Sequence, residues 1–311
     1  MGKKVVIIGA GVSGLSAGIY ALQAGYSVEI YEKNKMPGGE CTGWNRQGYH
    51  IDNCIHFLVG CNKDEQLYKM WENLGVISDS LKIYREPYFY CMNMDGITLH
   101  LWSDLEKARK EFLELAPEDY KELNLFFDCA KTLECVKPPC DYSIAHMNPL
   151  QFIKLGMSMK DASKAIKEYG KQSIEEFVNR FKNHYIRAML KNYFNSNFNA
   201  LSLVASYAFF TSNTAAIPEG GSVGLVGRML AKFESLGGKL HLGINIVKIN
   251  IVDSQVVSIL GNNGEVIKSD NYIWCADPHY LFYDLIDEKY LDKNLRYMYD
   301  NSQGYVSNTG Y

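Results

Sequence analysis

Residues 4–33, KVVIIGAGVSGLSAGIYALQAGYSVEIYEK, decide the fold of this chain. The β-branched run at 4–8 predicts a strand that is buried on both faces of a parallel sheet. The glycine pattern at 9–14 follows directly and opens a helix that ends near Gly25. Because 27–31 then predicts a second strand, the whole stretch is a compact strand–helix–strand unit.

The glycines of the first turn predict a dinucleotide site. Gly9 permits a tight turn, Gly11 lets the backbone approach a diphosphate, and Gly14 lets the helix pack closely on the strand. Free N–H groups at the start of the helix hold phosphate charge. Glu32, at the end of the second predicted strand, accepts hydrogen bonds from ribose hydroxyls and repels a 2′-phosphate, which argues against NADP.

The pair Gly38–Gly39 distinguishes FAD from NAD as the cofactor. It follows the second predicted strand, where a plain dehydrogenase usually continues into its next helix. Two residues without side chains let a long ligand pass close to the backbone. The sequence therefore favours FAD.

Composition excludes several classes of function. The chain has 311 residues, of which 47% are hydrophobic, and a net charge of −3. This is enough for one large or two interleaved domains, and it shows no basic excess that would indicate a nucleic-acid partner. The sequence has no long apolar run and no signal peptide, so we expect a cytoplasmic protein without a spanning helix.

The eight cysteines are expected to be reduced thiols. None form a CxxC pair and no histidine cluster accompanies them, so no metal site is predicted. Cys135 and Cys140 have the CxxxxC spacing of flavin disulfide reductases. In that family the pair closely follows the first nucleotide-binding unit, whereas here it lies far downstream, which disfavours a redox disulfide.

The middle of the chain, about 103–211, is predicted to be mostly helical. Residues 145–200 carry nine Lys/Arg and four Asp/Glu. Two interpretations stay open: solvated helix faces, which the composition favours, or a basic amphipathic surface that contacts a membrane or an anionic ligand. Met157 and Met159, near Phe152, either face lipid or pack in the core, and core packing is favoured.

Two later segments complete the pattern, IDNCIHFLVG at 51–60 and IPEGGSVGLVGRMLAKFESLGGKL at 217–240, followed by SDNYIWCAD at 269–277. In this order, the segments resemble the flavin amine oxidase and phytoene desaturase superfamily, and most closely its branch of phytoene desaturases, carotenoid isomerases and retinol saturase-like proteins. The resemblance covers about 4–285. It implies an α/β fold in which a Rossmann-like FAD-binding domain is interrupted by a mostly helical substrate domain.

The resemblance also implies which residues bind FAD. They are Gly9, Gly11, Ser13, Gly14, Glu32, Lys33, Gly38, Gly39, Val247 and Ala276. In this assignment the first four surround the diphosphate, Glu32 and Lys33 lie at the adenosine ribose, and Val247 contacts adenine through its backbone. Many relatives have Arg after the paired glycines, where this chain has Glu40, so an expected cation near the phosphates is missing.

The implied FAD-binding domain spans 1–75 and 214–290, the substrate-binding insert spans 76–213, and 291–311 is predicted to be an irregular tail. Relatives continue into a further glycine-containing FAD segment after about residue 300, whereas this chain ends in NSQGYVSNTGY. The hypothesis from this difference is a member truncated at its C-terminus.

The implied activity is FAD-dependent oxidoreduction of an apolar, isoprenoid or polyene-like substrate, by hydride exchange between flavin and carbon. His56 is the candidate proton donor or hydrogen-bond partner near the flavin, although a structural histidine is the favoured interpretation. Aromatic residues that either line a substrate tunnel or pack in the core are Tyr88, Phe89, Tyr90, Trp102, Tyr207, Phe209 and Phe210. The alternatives are an amine oxidase and a non-catalytic nucleotide-binding remnant.

Overall fold

The computed structural model describes residues 2–137, 140 and 144–301. The strands are β1 (Lys4–Ile8), β2 (Ser27–Glu32), β3 (Gly43–Arg46), β4 (Tyr49–Asp52), β5 (Leu58–Val59), β6 (Ile83–Tyr84), β7 (Tyr88–Met94), β8 (Ile97–Trp102), β9 (Ala215–Pro218), β10 (Lys239–Leu242), β11 (Ile246–Val252), β12 (Gln255–Gly261), β13 (Val266–Ile267) and β14 (Asn271–Trp274). The helices are α1 (Val12–Gln23), α2 (Gln66–Asn73), α3 (Leu105–Leu115), α4 (Tyr120–Leu133), α5 (Pro149–Ser158), α6 (Ser163–Tyr169), α7 (Ile174–Val178), α8 (His184–Tyr193), α9 (Ala200–Thr211), α10 (Gly221–Ser235), α11 (Pro278–Tyr280) and α12 (Lys293–Asn301).

Chain contacts divide the protein into two compact units. The first contains the described residues of Met1–Ile55, Glu72–Asp79 and Gly220–Tyr311, and the second contains His56–Trp71 and Ser80–Glu219. The segment 56–71, expected in the nucleotide-binding domain, lies in the second unit because β5 pairs with β9. The strand β9 likewise belongs to the second unit, so the first unit resumes at Gly220 rather than at 214.

The first unit is built on a four-stranded parallel sheet in the order β10-β2-β1-β14. Its first two strands and the helix between them are the predicted strand–helix–strand unit. The two outer strands come from beyond residue 238, after the second unit has been inserted. This confirms the expected α/β class, a Rossmann-like domain interrupted by a mostly helical insert.

Both faces of this sheet are covered, which explains the unbroken apolar run in β1. Helix α1 packs against α10, and a side chain at Gly18 would collide with the Phe233 ring. On the other face, Val6 and Ile8 join the core of a three-stranded antiparallel sheet, β11-β12-β13, through residues such as Ile259. Successive side chains of a strand point to opposite faces of the sheet, so the apolar side chains of β1 are buried on both faces.

The second unit packs the β7–β8 hairpin against helices α3, α4 and α6–α9. Met92, Leu99 and Leu101 of the hairpin share one apolar core with Phe126 and Tyr207 of the helices. The turn of the hairpin is the Asp95–Gly96 pair, and both residues have positive φ, 52° and 80°. These are the dihedral signs that a two-residue hairpin turn requires.

The predicted irregular tail over 291–311 is wrong for its first part, because Lys293–Asn301 forms α12. The Asp292 carboxylate accepts a hydrogen bond from the Asn294 N–H at the start of this helix. The Tyr299 ring packs edge-on against Tyr283. These local contacts order a segment that has no strong apolar pattern, and residues 302–311 lie outside the described part of the chain.

Candidate cofactor-binding site

A cavity of about 920 Å³ lies at the carboxyl ends of β1, β2 and β14 in the first unit. This edge is where parallel α/β sheets bind their ligands. We call it the dinucleotide cavity. Eight of the ten residues expected to bind a cofactor line it: Gly9, Gly11, Ser13, Glu32, Lys33, Gly38, Gly39 and Ala276. The structure thus brings together residues that are up to 267 positions apart in the sequence, 9 and 276 being the extremes.

The glycines at the mouth of β1 leave no room for side chains. Gly9 has a φ of +102°, and a Cβ there would lie 2.6 Å from the Cys275 carbonyl oxygen. A Cβ at Gly14 would lie 1.9 Å from the Gly9 carbonyl oxygen. Gly14 therefore packs directly beneath the turn and does not line the cavity. Its close packing supports a structural role, and direct contact with a cofactor stays a prediction.

The two glycine segments meet across the cavity floor. Gly38 donates its N–H to the Ala10 carbonyl at 2.9 Å and forms a parallel bridge with Gly11. A Cβ at Gly39 would lie 3.3 Å from the Gly11 Cα. Because both strands of this contact are bare backbone, a long ligand can run along them within van der Waals distance.

Helix α1 presents an uncapped N-terminus to this cavity. Gly11 is its N-cap, no side chain caps it, and Val12 and Ser13 line the cavity. The first N–H groups of a helix have no partner within the helix and carry its positive dipole end. The site is therefore suited to the diphosphate of a dinucleotide.

Glu32 is buried and fixed in the cavity wall. Its Oε2 accepts the Ala10 N–H at 2.8 Å, and its Oε1 accepts the Asn34 N–H at 2.9 Å. A carboxylate has about four acceptor sites, so one on each oxygen remains for ribose hydroxyls. The negative charge of Glu32 opposes a 2′-phosphate at the same position.

Val247 does not line the cavity, although its neighbour Ile246 does. The register of β11 against β12 shifts between Ile246 and Lys248, so Val247 is the extra residue of a β-bulge. The extra residue of a bulge is left out of the hydrogen-bond ladder. The backbone N–H and C=O groups of Val247 are thus not used in the β11–β12 ladder, as a hydrogen bond to adenine would require. That contact stays a prediction.

Several lining residues were missed by sequence reasoning. Tyr31 and Trp274 stand at the ends of β2 and β14, and Tyr280 donates its hydroxyl to the Ile246 carbonyl at 3.3 Å. The Tyr31 ring stacks on His241 with centroids 4.4 Å apart. Burial, followed by a hydrogen bond to Glu29, raises the pKa of Tyr31, so it stays a neutral phenol. For Tyr31 and Trp274, the position at the end of a strand was the one available signal.

Glu40 is exposed and lines the cavity. Lys33 is also exposed there, on the ribose side. The acidic side chain adds negative charge near the expected diphosphate. The backbone N–H groups of α1 therefore have to provide most of the favourable electrostatics.

His56 belongs to the second unit and does not line the dinucleotide cavity. It is exposed, and its ring centroid lies 6.4 Å from that of Tyr193. Its role near a flavin stays a prediction.

The aromatic residues proposed for a tunnel separate into two places within the second unit. Phe89 lies at the centre of an aromatic cluster whose other members are Phe57, Tyr193, Tyr207 and Phe210, with ring centroids 4.5–5.8 Å from that of Phe89. Tyr88 and Trp102 instead pack with His100. Phe57 and Tyr193 were not identified from the sequence.

The parallel sheet and the glycine turn define a Rossmann-like nucleotide-binding domain, and this architecture implies a flavin or nucleotide cofactor. Residues 7–74 match the family model of the NAD(P)-binding Rossmann-like domain. The chain is 25% identical, over its whole length, to 4,4′-diaponeurosporene oxygenase of Staphylococcus aureus, and it spans 63% of the length of that protein. The expected resemblance to carotenoid-modifying enzymes with a Rossmann-like domain is thereby confirmed as a similarity.

Solved structures show the same fold. The PF1083 protein of Pyrococcus furiosus is 17% identical with a TM-score of 0.62, and 96% of this chain covers 65% of that one. An oxidoreductase of Methanosarcina mazei is 19% identical with a TM-score of 0.55 over 96% and 64% of the two chains. Putrescine oxidase bound to putrescine is 17% identical with a TM-score of 0.56 over 96% and 63%.

Within the described residues, no helix combines the length and the apolar character needed to cross a bilayer.

Proposed function

We propose that this chain binds FAD and belongs to an FAD-dependent oxidoreductase that acts on an apolar, isoprenoid or polyene substrate. The observation that carries the proposal is the dinucleotide cavity, in which two glycine segments, an uncapped helix and a buried carboxylate converge. The cavity volume, about 920 Å³, is in the range of pockets that hold molecules of this size. Similarity to 4,4′-diaponeurosporene oxygenase along the whole chain supports the substrate class.

In this proposal the described residues recognise the adenosine diphosphate half of the cofactor. The N–H groups at the start of α1 bind the diphosphate, Glu32 binds the ribose, and the bulge at Val247 binds adenine. The flavin, when bound, supplies the hydride chemistry. The protein contributes orientation, and its apolar surfaces exclude water.

The aromatic cluster around Phe89 supports an apolar substrate. Phe89, Tyr193 and Phe210 are partly buried rather than sealed inside the core. Burial raises the pKa of Tyr193 to about 12, so this phenol stays neutral and adds no charge to the cluster. Partly buried aromatic rings are suited to contact a flat conjugated chain.

Anaerobic reduction of the bound flavin tests the activity. The purified protein is loaded with FAD and mixed with a conjugated polyene, its partly saturated isoprenoid precursor, or putrescine. We expect the visible flavin band to bleach with the isoprenoid compound, because its C–H bonds donate hydride. Bleaching by putrescine alone would favour the amine oxidase alternative, and FAD binding without bleaching by any compound would favour the non-catalytic one.

We also propose that helix α5 contacts an anionic lipid surface. None of its side chains is buried, and Leu150, Ile153 and Met157, on one face, are 78%, 60% and 72% exposed. A contiguous exposed apolar face of this kind indicates an interaction surface. Exposed lysines lie on this helix and directly after it, at Lys154 and Lys160, and their charge is complementary to anionic headgroups.

Vesicle sedimentation tests this contact. The protein should bind vesicles that contain phosphatidylglycerol and bind neutral phosphatidylcholine vesicles less, with binding that weakens as salt rises. The double variant Ile153→Ser, Met157→Ser should lose binding. Tyr120→Ser, which changes a similarly exposed side chain on α4, should retain it. Equal sedimentation of the double variant, or concentration-dependent dimers instead of vesicle binding, would contradict the proposal.

A further inference from the structure

Two cysteines face each other at the base of the β3–β4 hairpin. In this hairpin Gly43 pairs with Asp52, and the Asn53 N–H donates to the Thr42 carbonyl at 3.0 Å. Cys41 and Cys54 occupy the next opposed position along the same ladder. The Cys41 thiol donates a hydrogen bond to the Cys54 sulfur, and the two Sγ atoms are 3.7 Å apart.

This position meets the main geometric requirement for a disulfide. Directly opposed residues of an antiparallel pair have Cβ atoms about 4.5–5.5 Å apart, close to the 3.5–4.5 Å of a disulfide. Bond formation has to shorten the sulfur separation from 3.7 Å to about 2.05 Å. The two cysteines lie just outside the last paired residues, so this shift does not break the β3–β4 ladder.

The cysteine pair is connected by hydrogen bonds to a loop that lines the dinucleotide cavity. Cys41 lines that cavity, and its N–H donates to the Gly38 carbonyl at 3.0 Å. On the other side, the Cys54 N–H donates to Asp52, which also accepts hydrogen bonds from Ser222 at the start of α10. Any movement that joins the two sulfur atoms therefore acts on the loop that carries Gly38.

We propose that Cys41 and Cys54 are a redox-active dithiol that forms an intramolecular disulfide by exchange with a small-molecule disulfide. The Cys54 thiolate attacks one sulfur of the small disulfide, which releases one small thiol and leaves a mixed disulfide on Cys54. The Cys41 sulfur then attacks the Cys54 sulfur and releases the second small thiol, which takes the Cys41 proton. Two protein thiols are oxidised and one small disulfide is reduced to two thiols.

The surroundings of the two cysteines favour Cys54 as the group that attacks first. Burial, followed by the hydrogen bond to Cys54 and its charge, raises the pKa of Cys41 to about 12. Since the thiolate is the nucleophile, Cys41 is disfavoured as the first attacking group. Once Cys54 is a mixed disulfide, its charge no longer opposes ionisation of Cys41, while burial and the charges of Asp52 and Glu40 still raise the pKa of Cys41. The closure step should therefore accelerate as pH rises.

Thiol mapping on the full chain tests the proposal, which does not depend on the identity of the cofactor. Reduced protein is treated with oxidised glutathione, remaining thiols are alkylated, and peptides are analysed by mass spectrometry. We expect the loss of two of the eight thiols as a Cys41–Cys54 crosslink that dithiothreitol reverses. Cys135, an exposed thiol, reports that the oxidant is effective.

Matched variants separate the steps. Cys41→Ser should retain glutathione on Cys54, because the second attacking group is missing, and Cys54→Ser should lose the crosslink without such an adduct at Cys41. The double variant Cys135→Ser, Cys140→Ser should form the crosslink as the parent protein does. Cys41 and Cys54 that both stay open to alkylation while Cys135 becomes glutathionylated would overturn the proposal, as would a crosslink to any other cysteine.

Discussion

Glu32 combines a structural role with a proposed binding role in one side chain. Its two oxygens hold the N–H groups of Ala10 and Asn34, which fix the glycine turn and the chain after β2. The same carboxylate lines the dinucleotide cavity. A substitution here is therefore expected to change both stability and ligand binding.

Glu32→Gln should weaken FAD binding by about tenfold or more and lower the free energy of unfolding by about 1–3 kcal/mol. The amide replaces one acceptor oxygen with a donor, so one buried N–H loses its partner. Titration calorimetry and urea denaturation measure the two effects. Glu40→Gln removes an exposed carboxylate from the same cavity and should not weaken binding. Equal affinity in Glu32→Gln and the parent protein would contradict the assignment.

Gly14→Ala should destabilise the protein by about 3 kcal/mol or more, because its Cβ would lie 1.9 Å from the Gly9 carbonyl oxygen. Gly227→Ala, on an exposed position of α10 with no atom near the added Cβ, should instead stabilise it by about 0.5–1 kcal/mol. Urea denaturation of both variants checks the contrast. A neutral Gly14→Ala would show that the turn is looser than the structure describes.

At this scale the sequence identified the residues whose role depends on the backbone. Glycines and a strand-end carboxylate have recognisable spacing, and five of the eight predicted residues that line the cavity are of these two kinds. Tyr31, Trp274 and Tyr280 could not be found in the same way, because their position depends on which strands become neighbours. Val247 and Gly14 do not line the cavity, because Val247 is the extra residue of a bulge and Gly14 packs beneath the turn.

At the scale of elements, the hairpin β3–β4 is joined to α10 by Asp52. Burial raises the pKa of Asp52, but hydrogen bonds from the Ser222 hydroxyl and N–H and from the Cys54 and Ile55 N–H groups outweigh it, so the pKa lies below its usual value. A carboxyl with a lowered folded-state pKa stabilises the fold above its unfolded pKa, and this contribution is lost as pH falls through the folded pKa.

Asp52→Asn should therefore lower stability at neutral pH and flatten the decline in stability between about pH 5 and pH 2. Urea midpoints measured across this range check the expectation. Asp95→Asn, on the exposed turn between β7 and β8, is the matched control for loss of one carboxylate. An unchanged pH profile in Asp52→Asn would show that this hydrogen-bonded carboxylate does not link the two elements.

Element boundaries were harder to predict than element types. Residues 149–169 form two helices, α5 and α6, and residues 239–252 form two strands, β10 and β11, with Gly243, whose φ is +73°, between the strands. The apolar pattern runs through both interruptions, so periodicity alone does not reveal them. Asp104 caps α3, since its side chain accepts the N–H groups of Glu106 and Lys107.

At the scale of the whole molecule, a continuous parallel sheet is built from discontinuous sequence. The strand–helix–strand opening gives β1 and β2, and the chain supplies β10 and β14 only after the second unit. The glycine pattern predicted the class of this fold, whereas the membership of 56–71 in the second unit depends on the pairing of β5 with β9. The chain must therefore be made as far as β14 before the sheet is complete.

The central claim is that the first unit recognises the adenosine diphosphate half of FAD, and a comparison of FAD with FMN tests it most directly. FMN carries the same flavin but lacks the adenosine. Flavin fluorescence titrations should show saturable FAD binding that ADP displaces, and no comparable binding of FMN. Equal binding of FAD and FMN, or the absence of FAD binding, would contradict the account.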